Sequence, residues 1–150
     1  MGKSFTKDIK ILLGLILNGG LQLDHILAKD VMIRDIYTIH PTQRVALARL
    51  RMLRHGVGAL PVVDENNRLQ GIVTLRDIDL AGNEAGSLLV VDLMTTQLKT
   101  GFEDTPILTI VDTMLKTGIQ RIPIINPKNR LIGLVTQTTV IRTMKNAIEQ

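Results

Sequence analysis

The chain has 150 residues and a formal net charge of +4, with 45% hydrophobic residues but only 2% aromatic ones. It contains no cysteine, which excludes a disulfide framework and any cysteine-ligated metal site. Its longest apolar run, Ile11–Leu17, falls far short of the roughly 18 residues a membrane-spanning helix needs, so a cytoplasmic protein with no membrane partner is expected.

Over residues 5–23, Ile9, Leu12, Leu13, Ile16 and Leu17 recur at helical spacing. This predicts an N-terminal helical extension, 1–23, whose apolar face serves dimerisation. Tyr37-Thr38-Ile39 then reads as a short strand. Thr42 is expected to cap a helix over Gln43–His55, and Gly56 to end it in the left-handed conformation. Leu60–Val63 and Leu69–Thr74 read as buried strands. They are joined through Asp64-Glu65-Asn66-Asn67, residues that tolerate turn geometry. Leu75–Leu80 opens a second helix. The same order follows again: a strand at Leu98–Thr100, a helix over Pro106–Thr117 with Pro106 at its first position, strands at Ile122–Ile125 and Leu131–Val135, and a last helix from Thr138 toward Ala147.

The recurrence is a true internal repeat. Shifted by 62 residues, the chain aligns with itself without a gap over 48 positions, 31–78 on 93–140, and 12 are identical. Gly56 meets Gly118, Pro61 meets Pro123, Gly71 meets Gly133, and Asn67-Arg68-Leu69 meets Asn129-Arg130-Leu131. A period this long makes each copy a small folding unit rather than a solenoid repeat. The expected class is α/β (α+β), with repeats at 24–86 and 87–150 packed through their sheets around a cleft.

Two runs carry a family resemblance. Gly56-Val57-Gly58-Ala59-Leu60-Pro61-Val62-Val63-Asp64, followed by Leu69-Gln70-Gly71-Ile72-Val73-Thr74-Leu75-Arg76-Asp77, resembles a CBS domain. So does Gly118-Ile119-Gln120-Arg121-Ile122-Pro123-Ile124-Ile125, followed by Leu131-Ile132-Gly133-Leu134-Val135-Thr136. Val31-Met32 and Leu93-Met94 match the short opening helix of that family. The resemblance implies a Bateman module of two β-α-β-β-α units. Such a module is regulatory, binds adenosine-containing ligands such as AMP, ADP, ATP or S-adenosylmethionine in the inter-repeat clefts, and pairs into a homodimeric disc. No cofactor is required, and the regulated protein is another, unidentified polypeptide.

Thr74-x-x-Asp77 is the sharpest candidate. A carboxylate can accept a hydrogen bond from both ribose hydroxyls, and a helix start favours an anion. In the resembled family the matching Asp binds ribose and the matching Thr lies near phosphate. The same two residues also form a capping-box pattern that needs no ligand. Repeat two has Thr136 and Thr139 in these places and so lacks the carboxylate. Arg121 stands where repeat one has Ala59, and in members of the family a basic residue there reaches the ligand phosphate. By position, Thr38, Ile39 and Pro41 would line the adenine end, Gly58 and Ala59 would admit the base to backbone groups, and Arg76 would lie near phosphate.

A second class of reading comes from the helix Gln43–His55. Arg44, Arg51 and His55 share one stripe with Arg54 beside it, and no acidic residue occurs between Asp35 and Asp64. Such a face suits nucleic acid or an acidic protein, which makes a macromolecule-binding module with empty clefts the alternative. Enzymatic activity is not expected. His25, His40 and His55 are scattered, and neither a nucleophile–base pair nor metal-ligand spacing occurs.

Overall fold

The computed structural model describes residue 23 and residues 25–149; the helix expected over 5–23 lies outside them apart from Leu23. The first repeat forms α1 (Ala28–Val31), α2 (Val45–His55), β1 (Ala59–Val63), β2 (Leu69–Thr74) and α3 (Leu75–Leu80). After a single 3-10 turn at Ala85–Ser87, the second forms α4 (Val90–Leu93), α5 (Ile107–Thr117), β3 (Arg121–Ile125), β4 (Leu131–Thr136) and α6 (Gln137–Glu149). Strands β1 and β2 make one two-stranded sheet, and β3 and β4 make another. The class is therefore α+β.

The chain folds into two compact units whose limits differ from those of the sequence repeats. The first unit holds the described residues up to Arg34 together with Lys99–Ile125 and Ile132 onward; the second holds Asp35–Leu98 and Asn126–Leu131. Each four-residue opening helix joins the hairpin of the other repeat. In the first unit, the Ala28 N–H donates to the Thr105 carbonyl at 2.8 Å, and Ile33 bridges Leu134. In the second, the Val90 N–H donates to the Gln43 carbonyl at 2.8 Å, and Thr95 bridges Ile72. A helix of one turn cannot stand alone, so these backbone bonds are what define α1 and α4.

Each unit has its own aliphatic core, as a chain with so few aromatics requires. Leu23, Ile107, Ile110, Met114, Ile122 and Met144 anchor the first. Ile39, Val45, Met52, Leu60, Val62 and Val73 anchor the second. In the second unit, β1 pairs antiparallel with β2 in the register Ala59 to Thr74 through Val62 to Gly71, with a bulge at Val62/Val63. Gly71 cannot be larger: a Cβ there would lie 2.7 Å from the Thr95 carbonyl oxygen.

Four local expectations are corrected. Thr42 does not cap α2. The helix starts at Val45 behind Arg44, and the first N–H is satisfied by the Leu88 carbonyl at 2.9 Å rather than by a side chain. Pro106 is the N-cap residue of α5 rather than its first helical residue, with an extended ψ of 141°. The strand at Tyr37–Ile39 reduces to one parallel bridge from Ile39 to Val62, and the strand at Leu98–Thr100 to one from Gly101 to Ile124. Gly56 and Gly118 do end α2 and α5 in the left-handed region, at φ 64° and 73°. Among the described residues, no helix is long and apolar enough to cross a membrane.

Candidate functional site

The second unit gathers most of the residues expected at a site. At the junction of β2 and α3, Thr74 and Asp77 form a reciprocal box. The Asp77 N–H donates to Thr74 Oγ1 at 3.1 Å, and the Thr74 N–H donates to Asp77 Oδ2 at 3.3 Å. Both side chains are half-buried. Asp77 Oδ1 accepts no hydrogen bond among the described residues. One carboxylate oxygen is thus held by the helix cap while the other keeps its lone pairs.

Gly58 and Ala59 lie beside this box. Ala59 is the register partner of Thr74, and the Leu75 N–H donates to the Gly58 carbonyl at 2.9 Å. That bond occupies one of the backbone groups expected to read a base. Ile39 bridges β1 at Val62; its N–H donates to Pro61 and its carbonyl accepts from Val63. With its side chain wholly buried in the core, Ile39 serves as scaffold for its neighbour Thr38, which is half-buried. Pro41 is tied by its carbonyl to the Val91 N–H at 2.9 Å. Arg76 is exposed and forms no ion pair among the described residues.

The equivalent box in the first unit is built without a carboxylate. The Thr136 N–H donates to Thr139 Oγ1 at 3.0 Å and the Thr139 N–H to Thr136 Oγ1 at 3.2 Å. The Thr139 hydroxyl also donates to the Thr136 carbonyl at 2.9 Å, and Thr139 is only 6% exposed. Its hydroxyl proton and one of its lone pairs are used within the cap. A threonine therefore suffices for capping, and the free carboxylate oxygen of Asp77 exceeds what the fold needs.

Arg121 opens β3 in the first unit, where the Gln137 N–H donates to the Gln120 carbonyl at 3.0 Å, just as Leu75 does to Gly58. It is half-buried and has no carboxylate within ion-pair distance among the described residues. Burial pushes its guanidinium below the usual arginine value. Removing an arginine from water without a counter-charge is costly, and an anion would relieve that cost.

Two of the four residues of the basic stripe on α2, Arg51 and His55, are engaged at home, whereas Arg44 and Arg54 pair with no carboxylate among the described residues. Arg51 Nη1 donates to the Thr38 carbonyl. The His55 ring stacks on Tyr37 with centroids 3.8 Å apart and planes 10° from parallel. Arg49 pairs with Asp79 at 3.1 Å on the exposed surface. Sequence reading assigned Arg51 and His55 to a surface stripe and missed both contacts. The available signal was the asymmetry between repeats, because Tyr37, Arg51 and His55 align with Lys99, Thr113 and Thr117.

Comparison with known proteins gives the family. The family model for the CBS domain matches twice, at residues 28–82 and 90–146. Inosine-5′-monophosphate dehydrogenase of Methanocaldococcus jannaschii is 31% identical over 118 residues, covering 79% of this chain and 23% of that protein. This chain spans only 16% to 24% of the first curated relatives it matches. Among solved structures, the CBS domain pair of protein MJ0100, in complex with 5′-methylthioadenosine and S-adenosyl-L-methionine, is 30% identical with a TM-score of 0.72, covering 80% of this chain and 96% of that one. CBSX2 in complex with AMP is 25% identical with a TM-score of 0.74, covering 83% and 98%. The chain belongs to the CBS domain family and carries two CBS domains.

Proposed function

We propose that this chain is a regulatory sensor that binds one adenosine-type ligand through the Thr74–Asp77 corner. The observation that carries the reading is the half-buried carboxylate of Asp77, whose Oδ1 is left open while a threonine does the same capping work in repeat two. That oxygen can accept from two adjacent ribose hydroxyls, and such charge-assisted bonds are the stronger kind. Thr74 would face the phosphate end of a nucleotide, the Leu75 and Asp77 N–H groups of α3 being bonded already to Gly58 and Thr74. Thr38, Pro41, Gly58 and Ala59 would form the adenine side, with Ile39 as their support. Arg76 is the cation that the second unit offers to a phosphate; Arg121, in the first unit, is a separate candidate for an anion. Ligands bound by the two similar CBS proteins support the adenosine class.

The sensor acts by linkage, since a ligand that prefers one packing of the pair raises that state's population. The regulated protein and homodimerisation belong to the same proposal. The deciding experiment is calorimetric titration of ligand-free protein with AMP, ATP, S-adenosylmethionine and methylthioadenosine. Saturable binding that Asp77→Ala abolishes sustains the reading. Absence of heat with all four ligands returns Thr74 and Asp77 to the role of a helix cap.

A further inference from the structure

Tyr37 and Thr38 lie outside any strand. The backbone bonds that secure Ile39 do not extend to them, yet two side chains of α2 reach across to this segment. Arg51 donates to the Thr38 carbonyl, and His55 stacks on Tyr37 at 3.8 Å. Both residues come from one face of α2, one turn apart, so they form a two-point clamp on the strand-like segment that leads to Pro41.

The fold does not require this clamp. In repeat two the aligned residues are Lys99, Thr113 and Thr117. Thr113 and Thr117 there donate back to their own helix, to the carbonyls of Thr109 and Thr113. The helix, the bridge from Gly101 to Ile124 and the hairpin all form without it. The clamp thus occurs only in the repeat that keeps the ribose carboxylate. A charged donor on a backbone carbonyl also has a definite chemical effect: it takes one of the two acceptor positions of Thr38 C=O and fixes the carbonyl's direction, leaving the second lone pair, the hydroxyl and the N–H of Thr38 to read a base.

We propose that Arg51 and His55 are positioning residues of the adenosine site, holding Tyr37 and Thr38 in the conformation that accepts the base. This rests on the reading of Thr74 and Asp77 given above.

Tyr37 is the only tyrosine and the chain has no tryptophan, so its fluorescence reports the clamp directly. The experiment titrates AMP and S-adenosylmethionine into wild type, Arg51→Met, Arg51→Lys, His55→Leu and the control Arg49→Ala, by calorimetry and by tyrosine emission. Each variant's thermal midpoint is recorded beside its affinity. Loss of a charged hydrogen bond predicts affinity about tenfold weaker in Arg51→Met, largely restored in Arg51→Lys. Loss of the stack predicts about fivefold in His55→Leu, while Arg49→Ala binds as wild type does. A ligand-dependent change in Tyr37 emission is expected in wild type. Should Arg51→Met not fold, Tyr37→Leu carries the same test. Variants that bind as tightly as wild type, whatever their midpoints, overturn the positioning role. Wild type that binds no ligand overturns the sensor reading itself, which is a separate outcome.

Discussion

Asn67 and Asn129 tie the two hairpin turns together reciprocally. Asn67 Nδ2 donates to the Leu131 carbonyl at 2.8 Å, and Asn129 Nδ2 donates to the Leu69 carbonyl at 3.1 Å. Their backbones answer in kind: the Leu131 N–H donates to the Asn67 carbonyl and the Leu69 N–H to the Asn129 carbonyl, at 2.9 and 3.0 Å. Both asparagines sit at positive φ, 62° and 63°. All of these residues lie in the second unit. The identity of Asn67-Arg68-Leu69 and Asn129-Arg130-Leu131 thus has a physical reason, since each segment makes to the other the same bonds it receives.

This relationship predicts a graded response at Asn67. Asn67→Ala places a Cβ-bearing residue in the left-handed region without a compensating side chain and leaves the Leu131 carbonyl short of a donor. The expected loss of stability is about 2 kcal/mol. Asn67→Gly loses the same bond but relieves the backbone, so it stays within about 1 kcal/mol of wild type. Urea unfolding of the three proteins measures both. Equal losses in Ala and Gly would show that the side-chain bond, and not the backbone angle, is what matters.

Gly71 predicts a sharper failure. Gly71→Ala drives a Cβ to 2.7 Å from a backbone carbonyl oxygen, that of Thr95, which cannot move without breaking its segment's pairing with Ile72. Overpacking of this kind costs about 1–3 kcal/mol. A thermal midpoint unchanged from wild type would mean that the Met94–Thr95 segment can detach from β2 at little cost.

How much of this was legible beforehand depends on how local each feature is. The hairpin strands and the ends of α2 and α5 follow from short-range rules, and Leu69–Thr74, Gly56 and Gly118 were read correctly. The start of α2 was not, because its first N–H is satisfied by Leu88, 43 residues downstream of Val45 in sequence, and no cap residue at Thr42 was needed. The exchange of α1 and α4 between hairpins was equally hidden, since periodicity does not say which hairpin a one-turn helix joins. The Thr74–Asp77 box was readable as a pattern, but only the reciprocal bonds of Thr136 and Thr139 show that a carboxylate is dispensable for capping. The contacts from Arg51 to Thr38 and from His55 to Tyr37 depend on how α2 lies over the chain, which composition does not reveal.

That comparison yields a transplant experiment. Asp77→Thr copies the repeat-two box into repeat one. The cap should survive, with stability within about 1 kcal/mol of wild type, whereas Asp77→Ala should lose about 1 kcal/mol as the bond to the Thr74 N–H disappears. Ligand binding should be lost in both. Calorimetry with AMP together with denaturant unfolding separates the two effects. Retained affinity in Asp77→Thr would remove the carboxylate from the binding account.

Arg121 offers the opposite trade. It is half-buried and unpaired among the described residues, and burial already pushes its guanidinium down from the ordinary value. Arg121→Met keeps most of the aliphatic volume and removes the desolvated charge. The side chain is only half-buried, so solvent screens much of that penalty, and Arg121→Met is expected to leave stability unchanged or raise it by less than about 1 kcal/mol. The sign follows from the depressed value: the folded state disfavours the charged form, and that penalty is present at neutral pH, where the side chain stays charged. If Arg121 serves as a phosphate cation, the same variant should lose affinity for AMP and ATP by about tenfold while its affinity for methylthioadenosine, which has no phosphate, is unchanged. Equal loss for all three ligands would assign Arg121 to the shape of the site, and no loss for any would leave it a destabilising residue without a part in ligand binding.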